Sequence, residues 1–379
     1  MAHLNRKHIW IYKILRPLVI VYLKVLFDYR YEKAKDLPEQ YMVLSNHATD
    51  YDPLLVACSF PKQMYFMASE HIARWGFVSK LITFLVDPIM RCKGASAVAP
   101  VKEMLLRIRA GHNVCFFPEG VRTWDGVTGP ILPATAKLVK TSGCGLVTYK
   151  LTGAYFASPM WSGAKVRRGP VRGSIVHIYT AQQVKDMSLQ QLQKVINADL
   201  YEDAYARQRM DPKSYRSKLG AARLENLLFI CPKCGAYDSF RSPDGIARCG
   251  CGCGIGYGQY GMLEGCRFET VKELLDWQRQ RVCADVASAE PYKAAHGVLR
   301  TVKDHVSHEV TQGQVVMSAD TLRCGDFCAG MDQITEFAMH GQRNLVFTAG
   351  GKYYELKITE GGNALKFHLY FQTAKERKA

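Results

Sequence analysis

Between Tyr41 and Tyr179 the chain alternates short, almost wholly apolar runs with stretches whose apolar positions recur every three or four residues. The runs Tyr41–Ser45, Asn113–Phe117, Leu146–Leu151 and Gly173–Tyr179 have the length and character of strands in a sheet covered on both faces. Val98–Ala110, closed by Gly111, and Pro133–Ser142, closed by Gly143, read as helices with a glycine placed to end them. This alternation predicts an α/β domain, a central sheet flanked by helices. Ser188 with Gln191 forms a capping box that predicts a long helix to about Gln208. Further helices are predicted near Tyr215–Leu228 and within Leu263–Val282. After about residue 290 the period changes to two, in Val298–His308, Gln314–Leu322, Asn344–Thr348, Lys352–Thr359 and Ala364–Phe371, with turn signals at Gly350-Gly351 and Gly361-Gly362-Asn363. This texture predicts a small, separate β-rich domain.

The segment His8–Phe27 follows neither pattern. It is apolar but interrupted by Lys13, Arg16, Pro17 and Lys24, so it lacks the roughly 20 apolar residues of a spanning helix. At 100° per residue its three cations share one narrow stripe beside a broad apolar face carrying Trp10, Tyr12, Tyr22 and Phe27. That geometry predicts an interfacial helix lying in a headgroup layer, the alternative being a helix packed on the protein's own core with its lysines reaching outward. The whole-chain charge of +16 points the same way, toward anionic lipid, phosphorylated substrate or nucleic acid. An apolar content of 48% excludes a disordered chain.

Five of the 13 cysteines cluster as Cys231-Pro-Lys-Cys234-Gly and Cys249-Gly-Cys251-Gly-Cys253-Gly. Two thiolate knuckles separated by a hairpin-length insert predict a structural tetrahedral zinc site of the zinc-ribbon kind. Cys231, Cys234 and Cys249 are ligands in this reading, and the fourth is Cys251 or Cys253. No histidine stands nearby to make an open, catalytic site. An odd cysteine count and no cleaved secretion signal fit a reducing compartment. The ribbon's nearly balanced charge argues against nucleic acid as its partner. The basic stretch Lys165–Arg172 reads either as an anionic-lipid contact or as a solvated loop.

The chemistry-bearing residues follow predicted strands. His47 and Asp52 stand five apart in NHATDYDP, Asn46–Pro53, directly after Tyr41–Ser45. A histidine is suited to take a proton from a hydroxyl near neutral pH, and a carboxylate can fix its tautomer. On its own the pair reads more readily as a loop histidine and a helix-capping aspartate. Phe116–Thr123 (FFPEGVRT) leaves another strand and brings Glu119, Gly120 and Arg122; Val86–Gly94 (VDPIMRCKG) brings Arg91 and Lys93. A base with its partner and fixed cations suited to phosphate make up the inventory for transferring an acyl group to a phosphate-bearing alcohol.

NHATDYDP and FPEGVRT resemble the first and third motifs of the glycerolipid acyltransferase family, the lysophosphatidic acid acyltransferases and their relatives, and DPIMRCKG is similar to the second. The resemblance covers roughly residues 30–180. It implies His47 as base, Asp52 as its partner, Glu119 and Gly120 shaping the acceptor site, and Arg122 with Arg91 contacting phosphate. It also implies acyl-CoA or acyl carrier protein as donor, a lysophospholipid acceptor, no catalytic metal, and a peripheral or monotopic place on a membrane, at its cytoplasmic face. One departure stands out: the family's fourth motif carries a proline in an apolar strand, where this chain has Leu146-Val147-Thr148-Tyr149-Lys150. The expected organisation is an interfacial helix over residues 1–29, an acyltransferase domain over 30–225, a zinc ribbon over 226–265, a helical linker over 266–289 and the β-rich domain over 290–379, which loosely resembles small barrels of the pleckstrin-homology type.

Overall fold

The computed structural model describes residues 6–70, 77–91, 97–163, 165–303 and 306–378. The chain divides into two compact units. The first runs to Ser217, apart from short excursions, and the second holds Lys218–Ala379 with Trp161–Gly163. His71 and Lys93 lie outside the described residues.

The elements of the first unit, in order, are α1 (Arg6–Phe27), β1 (Arg30–Tyr31), β2 (Tyr41–Ser45), α2 (Asp52–Ser59), β3 (Met64–Ser69), α3 (Phe77–Val86), β4 (Ile89–Arg91), α4 (Val98–Arg109), β5 (Asn113–Phe116), α5 (Ala134–Ser142), β6 (Gly145–Thr152), α6 (Ala154–Ala157), β7 (Arg172–Tyr179), α7 (Ala181–Asp186), α8 (Leu189–Leu200) and α9 (Ala204–Met210). Seven strands form one mixed sheet in the order β1-β7-β6-β2-β5-β3-β4. β6, β2, β5, β3 and β4 run parallel, and β7 is antiparallel to β6. Every residue of β2 and β5 is buried, as the unbroken apolar runs require. One core joins Met42, Leu44, Val114, Phe116 and Leu146 of the sheet to Met104, Leu138 and Ile196 of the helices over it.

β6 sits between β2 and β7, so both of its edges are paired. At the departure from the family pattern, the Tyr149 hydroxyl bonds Ser59 Oγ at 2.6 Å and Tyr29 Oη at 3.1 Å, while Thr148 Oγ1 donates to Asp199 at 2.8 Å on the opposite face. Gly173, across the strand, leaves the room in which the Tyr149 and Tyr29 hydroxyls meet.

α1 begins at Arg6 and continues through Pro17. One side is held by the chain's own core: His8, Leu23 and Phe27 are buried. The Tyr12 hydroxyl donates to Ala57 O (2.6 Å) and Phe60 O (2.8 Å), and Arg16 donates to Cys58 O (2.6 Å), satisfying carbonyls at the end of α2. The expected basic stripe and apolar face are therefore each divided, with Arg16, Tyr12 and Phe27 inward and Lys13, Trp10 and Tyr22 outward. Among the described residues no helix is long and apolar enough to cross a membrane.

Three expectations change. The helix from Ser188 stops at Leu200, because the backbone around Glu202 bonds the loop at residues 126–128: Thr128 N donates to Glu202 O and Ala204 N to Gly126 O, both at 2.9 Å. α9 then restarts with Asp203 as its cap. Tyr215–Leu228 is not a helix but turns with one short 3-10 segment at Leu224–Asn226, since Gly220 (φ +48°) and Arg223 (φ +68°) leave helical dihedrals. Within Lys165–Arg172, Arg167 is buried and Arg172 pairs with Asp28 at 3.4 Å, so the stretch is not a freely solvated loop.

The second unit contains β8 (Phe240–Arg241), β9 (Ala247–Cys249), β10 (Gly254–Tyr257) and β11 (Leu263–Glu264), a small antiparallel sheet carrying the cysteine knuckles. α10 (Val271–Ala287) follows, capped by Thr270. Its buried Gln278 accepts from Phe229 N (2.8 Å) and Ile230 N (3.0 Å) and donates to Leu227 O (3.1 Å), so it secures the chain leading into the first knuckle. β12 (Tyr292–Lys303), β13 (Val306–Met317), β14 (Thr321–Cys324), β15 (Phe327–Gly330), β16 (Ile334–His340), β17 (Asn344–Ala349) and β18 (Lys352–Glu360) form an antiparallel sheet ordered β15-β14-β13-β12-β18-β17-β16.

The expected last strand, Ala364–Phe371, is instead the start of helix α11 (Ala364–Lys378). Asn363 Oδ1 accepts from Leu365 N and Lys366 N, capping the helix straight after the Gly361-Gly362 turn. The alternation of Leu365, Phe367, Leu369 and Phe371 imitated a strand because α11 is buried around most of its circumference, with Ala364, Lys366 and Tyr370 also inside.

Gly173→Ala is expected to lower stability by about 1–3 kcal/mol, because a Cβ there would overlap the Tyr149 and Tyr29 hydroxyls. Thermal or urea unfolding checks this, and wild-type stability would show that the hydroxyl cluster has room to spare.

Candidate active site

β2 ends at Ser45, and the next residue ties the loop down. Asn46 Nδ2 donates to Leu151 O (2.9 Å) and its Oδ1 accepts from Leu151 N (2.8 Å), extending the β2–β6 pairing by a side-chain clamp. His47 follows at the carboxyl end of the parallel strands, where α/β sheets open their crevice.

Helix α2 begins at Asp52 itself, and its N-cap, Tyr51, makes no side-chain capping bond. The Asp52 carboxylate turns back into the loop rather than capping the helix. It accepts from Ala48 N (2.6 Å), Thr49 N (2.9 Å) and Thr49 Oγ1 (2.8 Å), and lies 2.8 Å from His47 Nδ1. Asp52 is 0% exposed, and a buried carboxylate needs such partners to offset its lost hydration. An ionised carboxylate only accepts, so Nδ1 carries the proton and Nε2 keeps its lone pair. The His47 side chain is 20% exposed, and its ring stacks on Phe117 with centroids 4.4 Å apart.

Two hydrogen bonds through the His47 backbone fasten the loop after β5 to this histidine. His47 N donates to Glu119 Oε1 (2.7 Å), and Thr123 N donates to His47 O (3.0 Å). Glu119 Oε2 accepts from Gly129 N (2.7 Å), so one side chain spans both loops. Burial pushes the Glu119 carboxyl up to about 8, with the two N–H donors pulling the other way. Gly120 turns the chain at φ +70°, and an added Cβ would lie 3.4 Å from Arg91 Nη1, which puts the guanidinium from β4 against this loop.

Arg122, 10% exposed, lies with Nη1 3.1 Å from Asp50 Oδ2. That nitrogen is buried and makes no hydrogen bond, and Arg91 Nε is in the same state. Buried donors of native structures are almost always satisfied, so two open guanidinium N–H groups packed against the loops that bond His47 suit an anionic ligand. The structure thus gathers His47, Asp52, Glu119, Gly120, Arg91 and Arg122 into the first unit. Sequence reading passed over Asn46, Thr49, Asp50 and Phe117 as contributors; each lies inside a motif, but its contact depends on the fold.

The knuckle thiols form a second cluster. Sγ atoms of Cys231, Cys234, Cys249 and Cys251 all lie within 4.8 Å of one another. Cys231 and Cys251 are 3.7 Å apart, Cys234 and Cys249 3.8 Å. Four thiolates bound tetrahedrally at ~2.3 Å are ~3.8 Å apart, so this group could hold a zinc ion. Cys253 stands outside it: its side of the knuckle is fixed by its carbonyl, which accepts from Cys249 N at 2.9 Å.

Because the raised Glu119 carboxyl binds its proton more tightly folded than unfolded, its contribution to stability is fullest below about pH 4.5 and is lost as pH rises toward about 8. Wild type should therefore lose stability relative to Glu119→Gln across that window, by up to ~1.4 kcal/mol per pH unit. Denaturant titrations at several pH values check this; a pH-independent difference would contradict it.

Residues 28–151 match the Acyltransferase family model, a span that contains the loops of His47, Arg91 and Glu119. No curated protein matches the chain by sequence. Among solved structures, the 1-acyl-sn-glycerophosphate (LPA) acyltransferase PlsC of Thermotoga maritima aligns with a TM-score of 0.45 and 18% identity, over 55% of this chain and 83% of that chain. Residues 28–151 are thus similar to the Acyltransferase family, and that match supports acyl transfer as the activity of this part of the chain.

Proposed function

We propose that the chain transfers a fatty acyl group from an acyl thioester to the free hydroxyl of a lysophospholipid, with 1-acyl-sn-glycerol 3-phosphate as the simplest acceptor and phosphatidic acid as its product. The observation that carries this reading is the His47–Asp52 contact of 2.8 Å, made by a carboxylate that four donors hold in place. His47 Nε2 takes the hydroxyl proton as the acceptor oxygen attacks the thioester carbonyl. The C–S bond then breaks, and the thiol leaves with the proton that His47 returns. Asp52 keeps the imidazole in the working tautomer and stabilises the imidazolium. Arg122 and Arg91, each with an unsatisfied buried N–H, hold the acceptor phosphate. Acyl-CoA or acyl carrier protein is the donor.

The reading also places the enzyme on a membrane surface. Trp10, Ile14, Leu18, Val21, Tyr22 and Val25 of α1 are exposed, as are Phe77, Leu81 and Phe84 of α3, which packs beside it. Lys7 lies over the Phe84 ring and Lys13 near Trp10, so cations border the apolar face. This is the composition of a surface that dips into headgroups and meets anionic lipid. A zinc ion held by Cys231, Cys234, Cys249 and Cys251 would cross-link two short loops of the second unit and stabilise it.

His47→Ala should abolish transfer from labelled acyl-CoA to lysophospholipid, by 10³-fold or more, while keeping the fold, with a loss of stability of about 1–3 kcal/mol from the donor taken from Asp52. Retained activity would remove His47 from the chemistry. The purified protein should carry about one zinc per chain, and Cys234→Ser should lower that content and the stability together. Full metal content in the variant would reassign the ligand.

A further inference from the structure

Asp50 lies between the base and its aspartate in the same loop, and the reaction outlined above gives it no role. Its side chain is 61% exposed, whereas Arg122, its ion-pair partner, is 10% exposed. The pair therefore has an inner, cationic end and an outer, anionic end. Arg122 Nη1 stands 3.1 Å from Asp50 Oδ2, yet it makes no hydrogen bond. Asp50 thus offsets the charge of Arg122 without using up its donor, and the donor remains available to a phosphate oxygen.

We propose that Asp50 determines acceptor headgroup selectivity, favouring a phosphate esterified to an aminoalkyl group over a bare phosphate monoester. The proposal rests on the acyltransferase reading of the His47 site. Arg122 and Arg91 supply two positive charges and Asp50 one negative charge. A phosphodiester monoanion that carries an ammonium complements that set, its phosphate on the arginines and its ammonium toward the exposed carboxylate. A dianionic monoester entering the same place meets the carboxylate as a like charge next to its binding donor. Selectivity is a difference of affinities, and a fixed repulsive charge acts on that difference directly.

The test uses the full-length protein and its Asp50→Asn variant, with lysophosphatidylethanolamine and lysophosphatidic acid as acceptors in mixed micelles. The variant should raise kcat/KM for lysophosphatidic acid relative to lysophosphatidylethanolamine by roughly fivefold, the scale of one charge at contact in a well-hydrated site. The change should lie in acceptor KM with kcat preserved, and should shrink at high salt. A ratio within twofold of wild type, or a change confined to kcat, overturns the proposal. Equilibrium binding of the two lysolipids without donor reads the same ratio independently of turnover. If neither lipid is acylated by wild type, the reading of the site as a lysophospholipid acyltransferase fails, while the binding ratio still decides the role of Asp50. Asp50→Ser, which also removes the charge, must reproduce the shift; a shift seen with asparagine alone overturns it as well.

Discussion

The interior of the first unit holds a carboxylate, and the surrounding loop is shaped by the need to satisfy it. Asp52 has no solvent contact, so the segment before it must turn N–H and O–H groups inward. Ala48 and Thr49 do this with their backbone, Thr49 with its hydroxyl, and His47 with its ring. Orientation of the imidazole is thus part of the solution to a desolvation problem. Asn46, clamped on Leu151, and Glu119, bonded to His47 N and Gly129 N, transmit the same constraint to β6 and to the loop after β5.

A parallel sheet explains why these loops meet. β2, β5 and β4 all point their carboxyl ends the same way, so the histidine, glutamate and arginine loops emerge along one edge. The site's two arginines are then held by different means. Arg91 abuts the left-handed turn at Gly120, while Arg122 leans on Asp50, a partner from the histidine's own loop. Packing leaves a mark here: the arginines held among these loops each keep a buried N–H donor without a hydrogen bond.

Legibility differed with the range of the deciding interaction. Strands β2, β5 and β6 could be read because burial along nearly their whole length requires continuous apolar runs, and α4 and α5 because their glycines end them. The break between α8 and α9 could not be read, since it depends on hydrogen bonds to a loop more than 70 residues away. α11 was misread because a helix buried on most sides carries apolar residues at both the two-residue and the helical period. At the knuckles the spacing left Cys251 and Cys253 equivalent; the hairpin brought one thiol into the group and used the other's carbonyl to close the turn.

By itself the sequence determined the α/β pattern, the pairing of His47 with Asp52 as a candidate, the companion loops of Arg91 and Glu119, and the cysteine knuckles. Each depends on residue type and short spacing, which local chemistry reads directly. The tertiary structure decided that Asp52 faces the histidine rather than capping α2, that Phe117 stacks on its ring, that Asp50 neutralises Arg122, and that α1 divides its apolar residues between core and surface. Those outcomes depend on which groups lose water together, and that is settled only when distant strands close on one another.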